Sequence, residues 1–210
     1  LARAYTGQRD LIVMDSAYHG HTTTLIDISP YKHAGPGGQG APDWVHPSPI
    51  PDVYRCRDVV GAPGAWFAAQ VGAAIARIDA MGRGLCGYIA ETCPSGGGQI
   101  MLPEGFLADV YARVRAAGGI CIADEVQTGF GRLGSHFWAF EQHDVVPDIV
   151  VLGKPIANGY PMGAVVTTRA IADAFDNGME FFSTFGGSTA ACVAARATLQ
   201  VTREEQLQAN

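Results

Sequence analysis

GGICIADEVQTGFGRLGSHFWAFEQHDVVPDIVVLGK, residues 118–154, decides the fold. Two short apolar runs, GGICIAD (118–124) and PDIVVLG (147–153), are bounded by glycine, proline and polar turns, as buried strands are. The first ends in Asp124 and the second empties into Lys154. If the two strands are parallel neighbours, both charges lie on one edge of the sheet. In open α/β sheets that edge, outside the carboxyl ends of the strands, binds ligands. Charges in so apolar a setting are costly unless paired or bonded to a ligand. Lys154 is one of only two lysines in the chain; the other is Lys32. On residue type alone a bland alternative stands beside this reading: Asp124 caps the following turn and Lys154 merely opens a helix.

Outward from this stretch, strand and helix patterns alternate. LARAYTG (1–7) reads as the end of a helix stopped by Gly7, and DLIVMDSA (10–17) as a buried strand that empties into Tyr18-His19-Gly20-His21. Residues 29–63 are rich in Pro and Gly, show no sustained period, and read as a surface excursion. WFAAQVGAAIARIDAMG (66–82) has helical spacing, GLCGYIAET (84–92) is a strand, and PSGGGQIMLP (94–103) is a glycine-rich loop. A helix over 103–118 is expected to open on Pro103, whose missing N–H costs nothing at a first helical position. MGAVVTTR (162–169) follows Lys154 too closely for a helical crossover, so it predicts an antiparallel edge strand. AIADAFD (170–176) is a short helix, FFSTFGGST (181–189) a loop, and 190–208 a closing helix. The alternation predicts an α/β fold: a mostly parallel sheet with one antiparallel strand, flanked by helices.

Composition narrows the class. The 210 residues are 48% hydrophobic and 16% charged, which is globular rather than disordered. The formal net charge of −6 argues against nucleic acid, which wants a basic face. No apolar run is long enough to span a bilayer. Five cysteines, an odd number with no C-x-x-C pair, favour a reducing, cytoplasmic compartment.

ADEVQTGFGR (123–132) followed by VLGKPIANGYPMGAV (151–165) resembles the pyridoxal-phosphate signature of the class III aminotransferase family. The resemblance extends over nearly the whole chain. It implies a fold type I transferase large domain and the cofactor pyridoxal 5′-phosphate. It implies that Lys154 forms the covalent carbon–nitrogen link to the cofactor aldehyde and that Asp124 pairs with the pyridinium nitrogen. By the same resemblance Val126 packs on one face of the ring, Gln127 reaches the phenolic oxygen, and Tyr18 covers the other face, with His19 beside it. Glu91 resembles a family position near the cofactor. STFGGS (183–188) resembles the segment in which a threonine, here Thr184, binds the phosphate of the neighbouring subunit's cofactor, which implies a homodimer.

Asp124 and Glu125 compete on residue type. Successive strand residues face opposite ways, so only one of them is expected to reach the ring. Lys32 competes with Lys154, but SPYKHAGPGG reads as a polar turn with a solvated lysine. Glycines 186 and 187 before a helix could hold an anion on free N–H groups; glycine before a helix is common, so alone this is a weak signal.

Two departures bear on the reaction. Many family aminotransferases carry a second acid in the loop that here reads ETCPSGGGQ (91–99), with Gly96 at about that place. That loop and GKPIANGYP (153–161) resemble the phospho-lyase branch, which eliminates phosphate and ammonia from phosphorylated amines, whereas ADEVQTGFGRLGSHFWAF (123–140) also resembles the alanine–glyoxylate aminotransferase branch. The expected activity is transfer of an amino group from an amine or amino acid to a 2-oxo acid or aldehyde, with elimination second. The resemblance also implies that the chain is the central part of the large domain, without the phosphate-loop segment before it or the small domain after it. An inactive fragment or noncatalytic scaffold is the third reading. A dinucleotide enzyme is disfavoured because GYIAETCPSGGGQ (87–99), the glycine-rich run after a strand, lacks the G-x-G-x-x-G spacing and no helix starts at once.

Overall fold

The computed structural model describes residues 1–56, 59 and 61–209. The chain runs α1 (Ala2–Thr6), β1 (Asp10–Met14), α2 (Thr23–Asp27), α3 (Pro30–His33), β2 (Val45–Ser48), α4 (Pro63–Ala80), β3 (Leu85–Glu91) and α5 (Phe106–Ala116). Then come β4 (Ile120–Asp124), a short 3-10 helix (Ala139–His143), β5 (Ile149–Leu152), a second 3-10 helix (Lys154–Ala157), β6 (Ala164–Thr167), α6 (Arg169–Phe175) and α7 (Thr189–Glu204).

Among the described residues the strands form one sheet in the order β2-β1-β3-β4-β5-β6. Every pairing is parallel except β5 with β6, where Leu152 faces Ala164. The expected antiparallel edge strand is therefore present. All residues of β1, β3 and β4 are buried, as in parallel strands covered on both faces. Strand alternation divides them between two cores. Ile12, Met14, Tyr88, Ala90, Cys121 and Ala123 pack under Phe67, Val71, Phe106 and Val110 of α4 and α5. Leu11, Val13, Ile89, Ile120 and Ile122 point to the opposite face, against Ile28, Trp44 and Ile171; Cys86 joins them only because the β1–β3 register shifts between Asp10 and Leu11.

Two expectations need correction. Residues 29–63 are more than an excursion, for α3 and β2 lie within them; residues 57, 58 and 60 of that stretch lie outside the described ones. The proline in VHPS concealed β2. Pro47 pairs with Val13 at the sheet's edge, the position where a residue without an N–H is tolerated. The helix expected from Pro103 begins at Phe106. The Phe106 N–H bonds to the Pro103 carbonyl at 3.2 Å, and Gly105 turns with φ 74°, which ends helical geometry there.

Candidate active site

Register fixes the first step. Glu91 lies opposite Asp124 across β3 and β4, and Asp124 lies opposite Val151 across β4 and β5. Two carboxylates thus sit side by side at the carboxyl ends of the parallel strands. Lys154 follows two residues after β5 ends, on that same edge.

Asp124 is buried and braced. Its Oδ2 is 2.8 Å from His19 Nδ1, and its Oδ1 accepts the Val126 N–H at 3.1 Å. The His19 side chain is 1% exposed, and its backbone N–H donates to Ser29 Oγ at 2.9 Å. His19 Nε2 is enclosed with no partner among the described residues. An ionised carboxylate has about four lone-pair sites, so with two used Asp124 keeps capacity for a further donor.

Tyr18 and Glu91 form the second group. Glu91 Oε1 accepts the Tyr18 N–H at 3.0 Å, and its Oε2 accepts the Ser95 N–H at 3.1 Å and the Ser95 hydroxyl at 2.7 Å. Glu91 therefore ties the Tyr18 loop to the glycine-rich loop, so its oxygens serve protein donors. The Tyr18 ring meets Tyr31 edge-on, with centroids 6.1 Å apart. The solvated lysine expected at 32 is instead half-buried. Its Nζ lies 5.9 Å from the Tyr18 ring centroid and 5.5 Å from that of Tyr31, within cation–π range.

Lys154 corrects the sequence reading in one respect: its side chain is exposed. Its backbone has φ 37°, in the left-handed region, and Pro155 follows it. A non-glycine residue held there costs on the order of 1–3 kcal/mol. The buried Ile156 and Ala157 beyond it hold the turn in place. Nζ donates to Gln127 Oε1 at 2.7 Å. Val126 reaches the same place: a Cβ built on Gly153 would lie 3.2 Å from its Cγ1. Lys154 and Gln127 share a cavity of about 470 Å³ with Cys93, Gln99, Thr128 and Arg132. Burial, aided by the Glu91 charge, pushes the Cys93 thiol up, so it is protonated and no nucleophile. A larger cavity of about 850 Å³ opens between α7 and the 134–137 turn, and it contains none of these site residues.

Glu125 takes the opposite course from Asp124, as strand alternation requires. It is 1% exposed. Oε1 accepts the Thr92 hydroxyl and the Phe140 N–H, each at 3.0 Å; Oε2 accepts the Thr128 hydroxyl at 2.8 Å and the Ala139 N–H at 3.0 Å. It thereby closes the loop that carries Val126 and Gln127 onto the start of the following 3-10 helix. Nothing local in the sequence marks this role, since its partners lie up to 33 residues away. Thr184 stands apart from this group. It lies in an exposed segment where the Gly186 N–H donates to Ser183 Oγ at 3.0 Å.

A mostly parallel sheet whose ligand edge presents a lysine beyond one strand and a braced carboxylate on its neighbour defines the large domain of a fold type I transferase. The chain belongs to the class III aminotransferase family, whose sequence model, Aminotransferase class-III, matches residues 1–210. It is 48% identical over 214 residues to "Alanine--glyoxylate aminotransferase 2-like" of Drosophila melanogaster, covering 99% of this chain and 43% of that protein. Among solved structures it resembles a phospholyase from Arthrobacter in complex with phosphoethanolamine, with a TM-score of 0.90 and 39% identity, over 99% of this chain and 49% of the other. It also resembles an amine transaminase from an uncultivated Pseudomonas species in the PLP-bound form, with a TM-score of 0.87 and 29% identity, over 99% and 50%. The chain thus spans about half the length of the relatives it matches.

Proposed function

We propose that the whole protein is a pyridoxal-phosphate-dependent aminotransferase that moves an amino group from an amine or amino acid to a 2-oxo acid or aldehyde. One observation carries the reading: the Lys154 amine, bonded to Gln127, stands on the same sheet edge as the buried, His19-braced Asp124. The residues fit the cofactor. A pyridine nitrogen needs a carboxylate with acceptor capacity, a phenolic oxygen needs a polar neighbour, and an aldehyde needs an amine. Asp124, Gln127 and Lys154 offer these in that order.

When bound, the cofactor supplies an electron sink for bond-breaking at the substrate carbon that bears the amine. The chain's own groups do the rest. Asp124 holds a proton on the pyridine nitrogen, and a charge-assisted bond of this kind contributes roughly 1.5–3 kcal/mol. His19, through Nδ1, keeps that carboxylate in place. Lys154 would hold the cofactor aldehyde through Nζ and, as a positioned base, would move a proton at the substrate carbon that bears the amine. Val126 and Tyr18 would enclose the two faces of the ring, and Glu91 fixes the backbone from which Tyr18 projects.

A second reading, elimination of phosphate and ammonia from a phosphorylated amine, is favoured by Gly96. A Cβ there would lie 2.4 Å from the Ser16 carbonyl oxygen, so no acidic side chain fits without moving the loop. The resemblance to a phospholyase structure supports it too. Two assays on the full-length protein divide the readings. Alanine with a 2-oxo acid should give pyruvate and an amino acid if transamination is the activity. Free phosphate from phosphoethanolamine, without an oxo acid, contradicts transamination as the principal reaction and supports elimination.

We also propose a homodimer in which Thr184 reaches the neighbouring subunit's cofactor phosphate. Met179, Phe181, Phe182 and Phe185 are each more than three-quarters exposed around it, an apolar cluster that calls for a partner surface. Sedimentation of the full-length protein checks this; a monomer would contradict it.

A further inference from the structure

The cavity beside Lys154 has an unbalanced wall. It carries two cations, Arg132 and Lys154, with Gln127, Gln99 and Cys93, and no acidic residue. Among the described residues Arg132, like Arg3, Arg9, Arg77, Arg196 and Arg203, meets no carboxylate, and of these it alone lines the cavity beside Lys154. Its turn is nonetheless fixed. The Gly131 N–H donates to the Phe137 carbonyl and the Gly134 N–H to the Gly131 carbonyl, both at 2.9 Å. Phe130, Phe137 and Trp138 pack together over that turn with centroids 4.8–5.4 Å apart. Glu125 holds the far end through the Ala139 and Phe140 amides. The turn is thus ordered while the Arg132 side chain it carries is exposed, and the planar guanidinium fork matches phosphate or carboxylate oxygens.

We propose that Arg132 binds the anionic end, a phosphate monoester or a carboxylate, of the amine substrate and so selects charged amines over neutral ones. The proposal rests on the cofactor reading above. With Lys154 engaged by the cofactor aldehyde, Arg132 is the cation that remains on this wall. The cofactor's phosphate is the other candidate anion. In pyridoxal phosphate the phenolic oxygen and the phosphate arm flank the aldehyde carbon on opposite sides. A site that shares its wall with Gln127, the proposed partner of the phenolic oxygen, therefore lies on the side away from the phosphate.

The test uses full-length protein, wild type, Arg132→Ala and Arg132→Lys. Loss of a charge-assisted contact should raise KM for phosphoethanolamine or alanine roughly ten- to a hundred-fold in Arg132→Ala, with kcat nearly unchanged. Arg132→Lys should fall between the two. KM for a neutral amine such as propylamine should stay within about two-fold, by the same reasoning. Calorimetry should show weaker binding of inorganic phosphate or acetate to the variant, with pyridoxal-phosphate affinity unchanged. Weakened cofactor binding would overturn the proposal in favour of the cofactor phosphate. Equal losses for charged and neutral amines, or no change for either, would overturn it outright. A wild-type protein that shows no lysine-dependent cofactor absorption would instead remove the parent reading, an outcome distinct from these.

Discussion

Lys154→Ala in the full-length protein should abolish the visible absorption of lysine-linked cofactor and lower turnover by at least roughly 10²–10⁴-fold, the usual worth of one positioned proton-transfer group. Both roles proposed for Lys154, the covalent anchor and the base, would be lost together, so the effect should exceed that of losing either. Folding should survive, because the side chain is exposed and bonded only to Gln127 among the described residues. The left-handed backbone at 154 is kept, with alanine bearing the same strain that lysine bears. Lys32→Ala is the matched control. Its Nζ contacts two aromatic rings and no site polar group, so the lysine-linked absorption should persist. Absorption spectra and steady-state rates of the two variants check both statements. Retained absorption in Lys154→Ala would contradict the assignment.

Glu125→Ala should be the most destabilising single change at the site, although Glu125 is not expected to touch the cofactor. Removing its carboxylate leaves the buried Ala139 and Phe140 N–H groups without an acceptor. Each unsatisfied buried donor costs about 1–3 kcal/mol, giving a loss of about 2–6 kcal/mol from the amides alone. The Thr92 and Thr128 hydroxyls lose a partner as well, but hydroxyls can rotate. Glu125→Gln should also destabilise, because its amide NH₂ would face one of the two backbone donors. Asp124→Asn should do the reverse: little change in stability and a large loss of cofactor binding and turnover. Urea denaturation midpoints, read beside cofactor affinity, separate these adjacent carboxylates. Equal stability losses at 124 and 125 would contradict the division of labour.

The sequence made the frame legible because its signals are local. Uninterrupted runs such as ICIAD and LCGYIAE mark strands covered on both faces, and the short step from Lys154 to MGAVV required an antiparallel return; both are present. Strand alternation sent Asp124 and Glu125 to opposite sides, as expected. What stayed hidden depends on distant partners. VHPS gives no strand signal until β1 is beside it to accept a proline at the edge. Lys32 read as solvated because Tyr18 joins the adjacent Tyr31 around it only after α3 folds back on the Tyr18 loop. Lys154 read as a charge within an apolar run; Gly153 and a left-handed turn instead swing it out into a cavity. Arg132 drew no notice, since an acid-free wall is a property of the assembled cavity.

The most direct measurement of the central claim is borohydride reduction of the cofactor-loaded protein, followed by proteolysis and mass spectrometry. The peptide spanning Val151–Pro155 should carry a phosphopyridoxyl group on Lys154, and Lys32 should be unmodified. A group found on Lys32, or on no lysine of this chain, would contradict the account.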